Sequence, residues 1–204
     1  IAGSATVSGT MLLQSGGAIT SSAGTLTAAS LELDAVSGVG TSGAVINTSV
    51  DTLSAEASTS GGVFVTEADG LTIGMVSAVT GISTADGAVA LVLTNGSLTV
   101  NQNITAADAG ANDEFDVTID VRGAGNDDDI TLSATVQADD DLDIRASRNI
   151  TQSADDDFII GDTLRLEVGG DIGSGTGFGT AASIDVKVNT LSAHAGLTAT
   201  NVNH

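Results

Sequence analysis

The stretch SIDVKVNTLSAHA at residues 183–195 decides the fold, because apolar and charged residues alternate strictly at its start. Ile184, Val186 and Val188 share one parity, and the two charged residues between them share the other. Side chains of a β-strand point alternately to its two faces, so this pattern predicts a strand with one buried face. The segments LELD, LRLEV and DVTIDV alternate in the same way. No apolar 3.6-residue stripe with helix caps is found, and we therefore predict almost no helix.

The same stretch ends in a phrase that the chain uses twice. VNTLSAHA occupies residues 188–195, and VDTLSAEA occupies residues 50–57. Weaker matches upstream extend the similarity, so that residues 11–57 resemble residues 142–195 at offsets of 131 to 138. We interpret residues 1–204 as a single continuous segment holding about one and a half copies of a long module.

A shorter period runs inside this module. Alternating segments recur at steps of 14 to 28 residues, with Gly, Ser, Thr, Asn and Asp between them. Steps of roughly 20–28 residues suit one coil of a parallel β-helix. We therefore predict an all-β, right-handed parallel β-helix (a β-solenoid) of about nine coils. The segments begin near Met11, Leu31, Val45, Val63, Val89, Val117, Leu142, Leu164 and Ile184. The side chains expected to point inward include Leu31, Leu33, Ile144, Leu164, Leu166, Ile184, Val186 and Val188.

The composition agrees with stacked strands. The 204 residues include 26 Gly but no Pro, Cys, Trp or Tyr. Inner strands of a solenoid need every backbone N–H, which proline lacks. The mean hydropathy of +0.28 argues against disorder. An antiparallel sandwich with an immunoglobulin-like fold is the alternative, but that fold favours hairpin turns and a core Trp or Tyr.

The charge of the chain is strongly negative and uneven. Five basic residues against 26 acidic ones give a net charge of −21. Such a surface repels nucleic acid and anionic membranes, so we predict neither a nucleic-acid partner nor membrane insertion. Residues 1–100 hold seven acids and no base, whereas residues 101–204 hold the other 19 acids and all five bases.

Three longer stretches resemble a known group of proteins. ITQSADDDFIIGDTLRLEVGGDIGSG (150–175), followed by SIDVKVNTLSAHA, and GGVFVTEADGLTIG (61–74) are similar to repeats of very large bacterial exoproteins of the filamentous-haemagglutinin type. The resemblance covers nearly the whole chain. It implies a secreted, right-handed β-helical shaft that acts at the bacterial cell surface as an adhesin or structural fibre. The Pro-containing secretion motif of that group does not occur in these residues, which suits a segment from the middle of a longer protein.

The resemblance also implies partners. We expect the shaft to continue at both ends, either as a longer chain or by end-to-end stacking of copies of itself, because ATVSGTMLL (5–13) and LTATNV (197–202) both alternate like strands. Surface glycans and a host or neighbouring cell surface are the other expected partners. The expected location is extracellular.

Three acidic triplets are the candidate metal ligands. They are Asp127, Asp128 and Asp129; Asp139, Asp140 and Asp141; and Asp155, Asp156 and Asp157. Each directly precedes an apolar strand, and the first and third are 28 residues apart, which predicts stacking at one corner of the coil. Stacked carboxylates repel, and Ca²⁺ relieves such repulsion through oxygen ligands. RGAGNDDDI (122–130) also resembles one calcium-binding nonapeptide of repeat-containing toxins, although Asp129 stands where that repeat has an apolar residue. The alternative is that these residues are solvated turns, so we predict no required cofactor.

The alternative functions are a polysaccharide-acting β-helix enzyme and a calcium-binding extracellular repeat domain. Such an enzyme needs a carboxylate cluster, usually with a basic residue. Arg145 and Arg148 follow the second triplet, but an interpretation in which they offset carboxylate repulsion is simpler, and we predict no catalysis. Carboxylates with Arg or Lys in an open groove would favour the enzyme, whereas a smooth acidic solenoid would favour the shaft.

Overall fold

The structure, a computed structural model, describes residues 1–107, 115–123, 125, 127–153, 159–173 and 183–196. Over these residues the chain is all β and contains no helix. In chain order the strands are β1 (Ala5–Thr6), β2 (Thr10–Ser15), β3 (Thr25–Ala35), β4 (Ile46–Ala57), β5 (Val63–Glu67), β6 (Leu71–Ile73), β7 (Met75–Val76), β8 (Val79–Thr80), β9 (Ile82–Thr84), β10 (Val89–Leu93), β11 (Leu98–Val100), β12 (Ile104–Ala106), β13 (Phe115–Val121), β14 (Ile130–Leu132), β15 (Val136–Ala138), β16 (Asp141–Ala146), β17 (Ile150–Gln152), β18 (Ile159–Ile160), β19 (Thr163–Val168), β20 (Val186–Lys187) and β21 (Thr190–His194).

The strands coil into three faces, which confirms the predicted β-solenoid. Face A contains β5, β10, β13, β16, β19 and β21, each paired in parallel with the next. Face B contains β6, β11, β14 and β17, and face C contains β9, β12, β15, β18 and β20. In the early turns one long strand serves all three faces, because β4 pairs with β5, β6 and β9 along its length.

Inward-pointing residues stack in columns that are mainly apolar. The column on face B reads Met11, Leu31, Leu53, Ile73, Val100, Leu132 and Gln152. Parallel in-register pairing places each of these residues about 4.8 Å from the next, so equivalent positions of successive turns pack on one another. Leu31, Leu53 and Ile73 are fully buried. The core is therefore a narrow apolar column shared by all turns.

The predicted inward positions are confirmed. Leu31, Leu33, Ile144, Leu164 and Leu166 are 0 to 2% exposed. The last predicted group, Ile184, Val186 and Val188, is half-buried and packs against the same core.

The coil count is smaller than predicted. The solenoid has about seven turns rather than about nine. One cause is that two alternating segments of one turn, on different faces, have the same pattern as segments of two separate coils. Val186 stacks on Ile159 on face C, so the segment that begins at Ile184 belongs to the same turn as the segment that begins at Leu164 on face A. Strand β1 covers only two residues and adds a partial turn.

The repeated phrase lies on two different faces. Leu53 of VDTLSAEA stacks between Leu31 and Ile73 on face B. Leu191 of VNTLSAHA stacks on Leu164 on face A. Leu31–Leu53 and Leu164–Leu191 are both pairs of leucines that stack between neighbouring turns. The two copies of the phrase therefore make the same kind of stacking contact, but on different faces of the coil.

One hairpin departs from the coil. Strands β7 and β8 pair antiparallel between β6 and β9. They lie against the outer side of β3 and β4 and bury Val76 and Val79. The chain returns to the coil at Gly81, which has φ 72° and would place an added Cβ against the carbonyl oxygen of Asn103. Glycine is therefore required at this return point.

Candidate functional site

Alternating charges line the outer side of face A. Register places Asp120, Arg145 and Glu167 in one outward column of successive turns. Asp143 and Arg165 stack in the adjacent outward column. Arg122 follows β13 and reaches the same surface. We call these six residues the ion-pair ladder.

The ladder is closely connected. Arg122 donates two hydrogen bonds to Asp120, Nε to Oδ1 at 2.9 Å and Nη2 to Oδ2 at 2.7 Å. Arg145 donates from Nε to Oδ1 of Asp143 at 2.9 Å, and its Nη2 also donates to that carboxylate. Arg165 Nη2 donates to Glu167 at 2.6 Å. Opposite charges therefore alternate both along and across the strands.

Longer contacts join the pairs into a network. Arg165 Nη1 lies 3.4 Å from Asp143, and Arg122 Nη1 lies 3.7 Å from Glu167. Only 3% of the Asp143 side chain is exposed, so this carboxylate depends on its arginines. The hydrogen bonds that Arg122 donates to Asp120 raise the pKa of Arg122 above its ordinary value. Three guanidinium groups and three carboxylates balance, so the ladder is locally neutral on an acidic chain.

An open groove lies beside the ladder. It has a volume of about 500 Å³ and is lined by Val92, Leu93, Thr94, Asp120 and Arg122. A carboxylate and a guanidinium therefore face an open groove, which is the arrangement expected to favour the enzyme alternative. The arginine is already held by the two hydrogen bonds that it donates to Asp120.

The first acidic triplet lies where face A turns into face B. Asp127 is exposed, Asp128 is buried and Asp129 is half-buried. Asp129 Oδ1 accepts hydrogen bonds from Arg148 Nε at 2.8 Å, from Asn149 N at 3.0 Å and from Asn149 Nδ2 at 3.1 Å. Mainly because of the Arg148 hydrogen bonds, the pKa of Asp129 is lowered below its ordinary 3.8.

At this corner, side chains and backbone amides of successive turns are joined by a row of hydrogen bonds. Asp129 N donates to Ser97 Oγ at 3.0 Å, Asn149 N donates to Asp129 Oδ1 at 3.0 Å, and Asp171 N donates to Asn149 Oδ1 at 2.8 Å. Each side chain thus binds the amide one turn further on. The amide and the carboxylate of Asp129 therefore help to hold successive turns together at this corner.

The described triplets do not share a corner. Asp127–Asp129 lead into β14 on face B, whereas Asp139–Asp141 lead into β16 on face A. Asp139 is exposed, and Asp140 and Asp141 are half-buried. The third triplet, Asp155, Asp156 and Asp157, lies outside the described residues. Among the residues that are described, no group of three or more His, Cys, Asp or Glu side chains is arranged to hold a metal ion.

The residue that lies against the first triplet in the next turn is closer in sequence than 28 residues. Ile130, which follows the first triplet, stacks on Ile150 in the next turn. The residue that lies against Asp129 is accordingly Asn149, only 20 residues further on. The length of a turn varies along the chain, so spacing alone does not give the register.

A buried carboxylate occurs inside the coil. Glu67 points inward and is fully buried, in the same column as Leu93 and Val121. Its Oε2 accepts a hydrogen bond from Thr48 Oγ1 at 2.7 Å, and its Oε1 accepts from Ala68 N at 2.8 Å. Burial raises the pKa of Glu67 above its ordinary 4.5, against the opposing effect of these hydrogen bonds.

Sequence reasoning missed this residue although a signal exists. In VFVTE, Glu67 has the same parity as the buried Val63 and Val65, so the alternation itself places it inward. It also missed Glu32, which alternates outward between Leu31 and Leu33 and is nevertheless buried under the β7–β8 hairpin. Nothing in the sequence around Glu32 predicts its burial, since Ala78 of the hairpin, whose amide binds Glu32, follows 46 residues later.

The fold and the surface define the chain as a β-solenoid protein with an acidic exterior braced by ion pairs. No protein-family model, curated protein or solved structure matches the chain. Within the described residues there is no helix of the length and apolarity needed to cross a bilayer.

Proposed function

We propose that the chain is a structural or adhesive shaft segment of a secreted bacterial cell-surface protein. The observation that carries the proposal is the uninterrupted stacking on face B, where one inward column continues in register from Met11 to Gln152. Each turn is joined to both neighbours by parallel backbone hydrogen bonds, and a pull along the axis is shared among three faces. A stack of this kind suits an extended rod.

The surface supports the same role. The net charge of −21 keeps neighbouring rods apart and soluble. The ion-pair ladder and the Asp129–Arg148 pair join successive turns on the outside, in addition to the backbone. We propose surface glycans, or a host or neighbouring cell surface, as the binding partners of such a rod.

We extend the proposal to pairing with a further coil. All residues of β21 are exposed, and Leu191 is 51% exposed although its column neighbour Leu164 is fully buried. An exposed strand edge with apolar inward positions is a surface on which another strand adds. That strand belongs either to a longer chain or to a second copy of this one.

Antibody labelling of intact producing cells tests the location, and electron microscopy of the protein released from those cells tests the shape. We expect labelling without permeabilisation, and rods whose fibre diffraction shows a repeat of about 4.8 Å along the axis. Labelling that requires permeabilisation, or compact particles without an axial repeat, would contradict the proposal.

A second candidate is a polysaccharide-acting β-helix enzyme. The observation that favours it is the open groove beside Asp120 and Arg122. The test is incubation of the purified chain with polyuronates, followed by measurement of new reducing ends and of unsaturated products. Asp120→Asn serves as the matched variant. Product formation by the original chain but not by the variant would favour this candidate over an inert shaft.

A further inference from the structure

The β7–β8 hairpin covers two polar side chains on the outer side of the coil. Glu32 on β3 is 1% exposed and Ser54 on β4 is 0% exposed. They are register partners, so their side chains leave the same side of adjacent strands about 4.8 Å apart. Without the hairpin, both positions would face solvent.

The carboxylate of Glu32 is only half satisfied by the hairpin. Its Oε2 accepts hydrogen bonds from Ala78 N at 2.9 Å and from Val79 N at 3.1 Å. Its Oε1 and the hydroxyl of Ser54 are both buried and have no hydrogen-bond partner in the protein, not even each other. Buried polar atoms almost always have a partner, and an unpaired carboxylate oxygen is especially costly.

We propose that Glu32 and Ser54 form the binding site of one tightly held water molecule beneath the hairpin. The water donates a hydrogen bond to Glu32 Oε1 and accepts one from the Ser54 hydroxyl, so both atoms gain a partner in a single step. Internal waters normally make two to four hydrogen bonds to polar groups that would otherwise be unsatisfied. The water thereby links β3, β4 and the hairpin, because Glu32 also holds the amides of Ala78 and Val79.

The ligand class follows from the donor set. Ca²⁺ takes six to eight oxygen ligands, and Mg²⁺ requires near-octahedral coordination. One carboxylate oxygen and one hydroxyl are too few for either cation, but they are complementary to water, which both donates and accepts. The side chains of the hairpin residues 75–80 carry no charge that could pair with Glu32 instead.

A crystal structure of the whole chain at a resolution that shows ordered solvent tests the site directly. We expect one water within hydrogen-bonding distance of both Glu32 Oε1 and Ser54 Oγ. A Ser54 hydroxyl rotated to donate directly to Glu32 would overturn the proposal. A cation with short coordination distances, accompanied by a melting temperature that depends on Na⁺ or K⁺ relative to choline, would also overturn it.

Hydrogen exchange of the backbone amides gives an independent measurement. Ser54→Ala removes one of the two side chains that hold the water, and Ser58→Ala, an exposed serine on the same chain segment, is the matched control. We expect exchange at Ala78 and Val79 to accelerate about five- to tenfold in Ser54→Ala and to stay unchanged in Ser58→Ala. Equal exchange in the two variants would count against the site, and if Ser54→Ala does not fold, the crystal structure of the original chain decides the question.

Discussion

The amino-terminal half holds its shielded carboxylates without arginine, whereas the carboxyl-terminal half uses arginine for some of them and an amide or a hydroxyl for others, as at Asp116 and Asp128. In the amino-terminal half, Glu32 and Glu67 are held by backbone amides and, for Glu67, by the hydroxyl of Thr48. In the carboxyl-terminal half, Asp129 and Asp143 are held by arginines. The reason lies in composition, because residues 1–100 contain no Lys or Arg.

The difference teaches that the type of donor decides the electrostatic outcome. Amide and hydroxyl dipoles do not offset the burial of Glu67, so its pKa rises. A guanidinium carries a full charge, and together with a backbone amide it lowers the pKa of the less buried Asp129. The same fold therefore contains carboxylates that respond to pH in opposite directions.

The largest expected effect comes from removing the arginine that pairs with Asp143, the most buried residue of the ion-pair ladder. Arg145→Met leaves Asp143 with only the longer contact to Arg165, and we expect the free energy of unfolding to fall by about 2–3 kcal/mol. Denaturant unfolding measures this. Arg165→Met is the control, since 42% of that side chain is exposed, and it should cost clearly less. Equal losses in the two variants would show that burial of Asp143 does not set the cost.

The next effect concerns Glu67, whose carboxylate accepts hydrogen bonds from backbone amides and a hydroxyl rather than from arginine. Thr48→Val keeps the shape of the side chain but removes its 2.7 Å hydrogen bond to Glu67, and we expect a loss of about 1–2 kcal/mol. Thr66→Val, a half-buried outward position on β5, is the control and should change stability by less than about 0.5 kcal/mol. A neutral Thr48→Val would mean that the backbone amides alone satisfy Glu67.

A smaller effect is expected from calcium at the acidic corners, which we retain as a proposal. If Asp127 and its neighbours bind Ca²⁺, a chelator should lower the melting temperature by about 2–4 °C, and Mg²⁺ should restore it poorly. The double variant Asp127→Asn, Asp128→Asn should abolish this response. A melting curve that is identical with chelator and with calcium would contradict calcium binding at these corners.

The smallest effects are opposite pH dependences. The pKa of Glu67 is raised above 4.5, so the stability associated with its protonated form is present below pH 4.5 and is lost as the pH rises through the folded-state pKa. Glu67→Gln should therefore gain stability relative to the original chain as the pH rises above 4.5.

For Asp129 the sign reverses. Its pKa is lowered below 3.8, so its stabilisation is present above pH 3.8 and is lost as the pH falls through the folded-state pKa. The stability difference between the original chain and Asp129→Asn should shrink as the pH falls below 3.8, as measured by denaturant titration at each pH. Parallel pH profiles for Glu67→Gln and Asp129→Asn would contradict the proposed contrast between the two halves.

Local alternation was sufficient to predict the fold class and many core residues. The parity of Leu31, Leu33, Leu164 and Leu166 identified buried columns because side-chain direction in a strand has a period of two. The same rule would have placed Glu67 inside. These properties depend only on immediate neighbours in the chain, so a single sequence contains them.

The tertiary structure alone determined the register of the strands, the number of coils and the burial of Glu32 beneath the hairpin. Asp129 meets Asn149 and Arg148 because of the length of the turn between them, and the phrase around Leu53 and Leu191 lies on two faces for the same reason. Glu32 is buried by a hairpin from a later turn. In a solenoid, alternation determines which side of a strand a residue occupies. The summed lengths of all the corners determine what that residue meets, and only the folded coil adds those lengths together.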